Sequence, residues 1–232
     1  MIDIIHAESR GAADHGWLKA KHSFSFADYF DPSRMGFASI RVINEDRIEP
    51  GQGFGTHPHK DMEIVTYIID GALEHKDSMG NGSVIRAGDV QRMTAGTGVH
   101  HSEFNHSETE TVHLLQIWIL PEENSLQPGY EQQHFDRKDK LNQWRLIASR
   151  DARESSMRVH QAVDLYASVL EAGHELRHSL TAGQSGFLQI VSGSVAANGE
   201  QLTAGDGAAI QDVDELIIES TSEAEVILFD MG

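Results

Sequence analysis

The chain has no cysteine among its 232 residues. That excludes disulfides, iron–sulfur clusters, thiolate zinc sites and cysteine nucleophiles together, so any metal must be held by nitrogen and oxygen. Basic residues are also scarce. Eighteen Lys and Arg stand against 36 Asp and Glu, and the formal charge of −18 repels nucleic-acid backbones and anionic membrane surfaces alike. No direct nucleic-acid binding is expected. Long apolar runs are missing too: the opening MIDIIHAESR already carries Asp3 and Glu8, so neither a signal peptide nor a membrane span is expected. These absences point to a cytoplasmic monomer. Hydrophobic residues make up 39% of the chain, enough for one large or two small cores.

What is abundant is histidine, with 14 copies, ten of them before residue 114. His6, His15, His75, His106, His134 and His160 read as surface or satisfied core residues. The chain around them alternates short apolar runs with glycine turns and shows no long helical period. Met62 to Ile69 reads as a strand ended by Gly71, Ala72 to His75 follows, and Asn81-Gly82 signals a hairpin. Thr111 to Leu120 is one more buried strand, closed by Pro121.

The same grammar returns later, with Gly193, Asn198-Gly199 and Ala204-Gly205-Asp206 in the places of Gly71, Asn81-Gly82 and Ala87-Gly88-Asp89. Gly71 and Gly193 are 122 positions apart, and Gly88 and Gly205 are 117 apart. An internal duplication explains both offsets if the first hairpin loop is longer. The expected fold is all-β: two tandem antiparallel β-barrel or jelly-roll domains with few short helices. Their expected bounds are 1–130 and 131–232, because the polar stretch between Pro121 and Trp144 carries weaker strand signals.

Two motifs carry chemistry. His57-Pro58-His59 places imidazoles at i and i+2, which an extended backbone projects to one side. Pro58 keeps His57 extended. Forty-two residues after His59, His101-Ser102-Glu103 repeats the spacing with one imidazole and one carboxylate. Each pair follows glycines, Gly51, Gly53 and Gly55 before the first and Gly96 and Gly98 before the second, which allow a tight or bulged approach. Three imidazoles and a carboxylate leave coordination positions open, as a reactive centre requires. Iron(II) is the first expectation for the ion; nickel, copper, manganese and zinc also suit the ligands.

Gly51, His57-Pro58-His59 and Glu63, followed by Gly96-Thr97-Gly98, His101 and Asn105, resemble the two motifs of the cupin superfamily, with Gly96 in place of a proline. More narrowly, SFSFADYFDP and FGTHPHKDMEIVTYIIDGALEHKDSMGN resemble the pirin family, including bacterial pirin-like quercetinases. The resemblance implies a bicupin whose metal ligands are His57, His59, His101 and Glu103. It leaves Glu63 structural or orienting an imidazole, and His100 facing solvent or hydrogen-bonded. By the repeat offsets, the second copy offers Ser179, Thr181, Ile218 and Ser220 at the ligand positions, so a degenerate, metal-free C-terminal barrel is expected.

The resemblance further implies a metal-dependent quercetin 2,3-dioxygenase that opens a flavonol ring with O2 and releases CO. Glu103 would then serve as catalytic base as well as ligand. The alternative it implies is a redox-sensitive, metal-containing regulatory protein that binds a protein partner. Phe24 and Phe26 read as core or barrel-mouth residues.

Overall fold

The structure, a computed structural model, describes residues 1–181 and 183–232. It begins with β1 (Ile2–Ile5), β2 (Gly11–Asp14), β3 (Leu18–His22), β4 (Ile40–Ile48), β5 (Gly53–His59) and β6 (Glu63–Asp70). These lead into β7 (Ala72–Asp77), β8 (Gly82–Arg86), β9 (Asp89–Thr94), β10 (Val99–Asn105), β11 (Val112–Ile119) and β12 (Gly129–His134). After the one-turn helix α1 (Arg137–Lys140) come β13 (Arg145–Ser149), β14 (Met157–Arg158), β15 (Val163–Leu170), β16 (Glu175–Ser179) and β17 (Ser185–Ser192). The remainder is β18 (Ser194–Ala197), β19 (Glu200–Thr203), β20 (Gly207–Gln211), β21 (Glu215–Ser220) and β22 (Ala224–Met231). No described helix is long and apolar enough to cross a membrane.

The strands divide between two units. One comprises residues 11–134 and 159–161, the other 1–10, 135–158 and 162–232. Within the first, a seven-stranded sheet runs β12-β9-β6-β11-β4-β3-β2 and a four-stranded sheet runs β5-β10-β7-β8. The second unit has the same plan, β1-β20-β17-β22-β15-β13-β14 and β16-β21-β18-β19. The turn before β7 and its counterpart before β18 both need glycine, because Gly71 and Gly193 have φ of 80° and 74°. The duplication read from glycine spacing is therefore a duplication of sheet order.

The domain bounds differ from the expected 130/131 cut in an instructive way. That cut falls inside β12, whose six residues pair with β9. In the second unit the equivalent outer position is taken by β1, which pairs antiparallel with β20 from Ile2↔Ile210 to Ile5↔Gly207. Backbone pairing over some two hundred positions leaves no local periodicity, so sequence spacing cannot show it.

Each core lies between its two sheets. In the first unit Ile48, Ile68 and Leu114 of the large sheet meet Leu73 and Ile85 of the small one. In the second, Leu188, Ile190 and Leu228 meet Val195, Leu202, Leu216 and Ile218. Each such burial contributes about 1.5–3 kcal/mol.

Removing residues 1–6 should strip β20 of its outer partner and take Ile2 and Ile4 off the second core. We expect the melting temperature to fall by about 5 °C, and hydrogen exchange at Ala209 and Gln211, whose N–H groups face β1, to accelerate while β6 and β11 keep their protection.

Candidate metal centre

β5 and β10 are neighbours in the small sheet of the first unit, in a register that pairs His101 with His57 and Val99 with His59. The register shifts between His101 and Glu103, and Glu103 pairs with Phe54, so a bulge sits at the ligand row. The strands cross closely there. A Cβ at Gly53 would lie 2.2 Å from the Glu103 carbonyl oxygen and 2.5 Å from Phe104 Cα, which makes glycine a requirement of packing.

This register brings three imidazoles together. Ring centroids of His57, His59 and His101 are 4.5 to 4.8 Å apart, and one nitrogen from each falls in a set with all separations within 4.8 Å. His57 Nε2 and His101 Nε2 are 3.0 Å apart. Two nitrogens each about 2.1 Å from an ion at a right angle would be about 3.0 Å apart, so the pair fits adjacent positions of a six-coordinate ion. Glu103 joins His101 and His75 in a second set within 4.8 Å. It also lines the same cavity as His57 and His59.

The tautomers suit metal binding. His57 Nδ1 is 2.8 Å from the Gly55 carbonyl, so Nδ1–H donates and Nε2 is left bare. On the other strand, His75 Nε2 is 3.2 Å from Asp77 Oδ2 and His75 Nδ1 is 3.4 Å from His101 Nδ1. With Asp77 accepting from His75 Nε2–H, His75 Nδ1 accepts from His101 Nδ1–H, which again exposes Nε2. Asp77 is fixed in turn by donors from Met79 and Asn81. His75 is fully buried and holds the His101 ring from behind, a contact its sequence context did not announce.

Electrostatics favours bare nitrogens. Burial, then the neighbouring imidazoles, pushes His101 down to about 2; burial and His57 push His59 down to about 4. Those two rings are therefore neutral near neutral pH, each with one nitrogen free of a proton. Glu103 behaves oppositely, because burial raises it to about 7 against the opposing hydrogen bond from Gln116. Gln116 Nε2 donates to both Glu103 oxygens at 3.2 and 3.0 Å, while its Oε1 accepts from Thr66 Oγ1 at 3.0 Å. A second carboxyl, Asp46, lines the cavity and is also raised to about 7, by burial first and then by Glu103 and Glu45.

The cavity measures about 180 Å³, and its apolar walls are Phe26, Phe54 and Trp118. Trp118 stands edge-on to both His59 and Phe26, with centroids 4.9 and 5.4 Å away. Phe26 is thus a wall of the mouth, whereas Phe24 is buried core. Glu63 lies outside this group. It is fully buried and accepts from Thr94 and from the His160 backbone, with His160 Nδ1 3.3 Å away, so the imidazole it orients is that of His160. His100 is exposed, its backbone N–H donating to Ser78 Oγ.

In the second unit the row on β21 reads Leu216, Ile218 and Ser220, and the facing row on β16 reads Leu176 and His178. Strand pairing sets His178 opposite Leu216, so the simple offset to Ser179 and Thr181 misses the register. His178 Nε2 is 2.8 Å from Asp230 Oδ2 and is engaged within its own unit.

Two outcomes follow for the first unit. Gly53→Ala should push β5 from β10, costing about 1–3 kcal/mol of stability and at least about tenfold in metal affinity, read by calorimetric titration. Metal affinity should rise with pH up to about 7, because below that the Glu103 carboxyl holds a proton the ion must displace, and level off above it. The limiting slope for one proton is about tenfold per pH unit, and Glu103→Gln should make it shallower.

Comparison with known proteins places this geometry. A family model described as Pirin matches residues 5–119, and one described as Quercetinase C-terminal cupin domain matches residues 146–231. The chain is 50% identical over 231 residues to the quercetin 2,3-dioxygenase of Escherichia coli K12, covering 100% of this chain and 99% of that protein. A crystal structure of YhhW from Escherichia coli superposes with a TM-score of 0.97 at 50% identity, covering 100% and 98% of the two chains. A second, of bacterial pirin YhhW in complex with nickel(II), gives 0.96 at 49% identity, covering 100% and 99%. The chain belongs to the pirin family and is a bicupin, two antiparallel β-barrels in tandem.

Proposed function

We propose that this chain is a metal-dependent dioxygenase of the quercetin 2,3-dioxygenase type, with His57, His59, His101 and Glu103 as ligands of one divalent transition metal. The observation that carries the reading is the convergence of three imidazole nitrogens, those of His57, His59 and His101, beside an aromatic-walled cavity that His57 and His59 line. The relative named quercetin 2,3-dioxygenase and the nickel(II) complex of bacterial pirin support it. Nickel thereby joins iron as a leading candidate for the ion. The second barrel, with Leu216, Ile218 and Ser220 facing its interior, is read as metal-free and structural.

A metal held there supplies a Lewis acid for an enolic oxygen and a path for electrons to dioxygen. The chain's own residues do the rest. Phe26, Phe54 and Trp118 offer flat apolar surfaces to a planar flavonol and keep bulk water from the reacting ring. A further cavity of about 350 Å³, also lined by Phe26 and Phe54, extends the space for a multi-ring ligand. Glu103, a buried carboxyl lining the same cavity, is placed to take a proton from the flavonol 3-hydroxyl. Gln116 holds that carboxylate from behind. In the overall change both atoms of O2 enter the ring-opened product, the two carbon–carbon bonds flanking the hydroxylated ring carbon break, and that carbon leaves as CO.

His57→Ala and His101→Ala should each abolish turnover together with metal retention, measured by elemental analysis. Glu103→Gln should lower kcat by about 10²-fold or more, the usual range for a general base, while its metal content falls far less. Flavonol added anaerobically and then exposed to oxygen should lose its absorbance band as CO is released. A protein that binds metal but leaves flavonol intact, and captures a protein partner in one metal oxidation state only, would favour the regulatory alternative.

A further inference from the structure

The cavity wall contains a carboxylate that neither the metal set nor the proton transfer uses. Asp46 lies on β4, with Asn44 two positions before it on the same face, opposite Leu114 and Gln116 of β11. It is only 5% exposed, lines the cavity, and its Oδ1 has no hydrogen-bond partner. Several other polar groups of the wall are engaged. Asn44 Oδ1 is 2.8 Å from His22 Nδ1, Gln116 is bound at both ends, and both Glu103 oxygens accept from Gln116. Asp46 therefore brings a carboxyl with an unpaired oxygen to the wall of the space a ligand fills.

A buried carboxylate oxygen without a donor costs stability, and a ligand hydroxyl placed against it recovers that cost. We propose that Asp46 is a specificity-determining residue: its carboxyl accepts a hydrogen bond from a substrate hydroxyl other than the enolic one presented to the metal centre, so that the cavity selects polyhydroxylated aromatics. The inference rests on the flavonol reading above.

The test compares quercetin with 3-hydroxyflavone, which keeps the enolic hydroxyl and lacks the others. Binding to nickel(II)-loaded protein is followed anaerobically by tryptophan fluorescence, so that turnover does not intervene. Wild type should bind quercetin about 10-fold to 100-fold more tightly, the range for a hydrogen bond to a charged group. Asp46→Leu should bring that ratio close to one while leaving 3-hydroxyflavone affinity and metal content unchanged, and should raise the melting temperature of the ligand-free protein. A purely structural aspartate would lower it. Asp46→Asn, close in shape and able to fold where leucine does not, should cut the ratio at least about threefold. An unchanged ratio in both variants, or equal weakening of both flavonols, overturns the inference and leaves the dioxygenase reading standing. Wild type that binds neither flavonol overturns both.

Discussion

Two unprotonated imidazole nitrogens held 3.0 Å apart repel each other unless a cation lies between them. The remaining architecture of the first unit serves to hold them there. His101 is buried, which keeps a second proton off its ring. The Gly55 carbonyl and the Asp77–His75 pair take the far N–H of two of the three rings. A wall built this way has its stabilising interactions made behind the ligands, and its unmet valences all face the cavity.

That arrangement opposes local stability. Glu103 and Asp46 are both buried carboxyls in one cavity, each raised by desolvation, and Asp46 is raised further by its neighbour. The second unit shows the same sheets without this burden. Its corresponding rows carry Leu176 and His178 facing Leu216, Ile218 and Ser220, with Leu216 and Ile218 fully buried in an apolar core. Duplication has produced one barrel whose interior is spent on a site and one whose interior is spent on packing.

Much of the site was legible in the sequence because its parts are local. His57 with His59, and His101 with Glu103, announce themselves by the i, i+2 spacing of an extended strand. The glycine turns likewise exposed the repeat. What stayed hidden depends on pairing between distant strands. His75 reaches the His101 ring only because β7 lies beside β10, with His75 opposite Glu103. Gln116 and Asp46 reach the cavity only because β11 pairs with β4. The one available hint was the polar triplet Asn44-Glu45-Asp46 following Val42-Ile43 in β4. The domain bounds were obscured for the same reason, since β1 completes a sheet formed by the far end of the chain.

The account stands on an ion bound by imidazole nitrogen, and X-ray absorption at the metal edge of the nickel-loaded or iron-loaded protein reads that shell directly. It predicts three imidazole ligands at about 2.1 Å with the remaining positions filled by oxygen, and loss of one imidazole contribution in His59→Ala. A shell of oxygen alone, or a spectrum indifferent to that substitution, would contradict it.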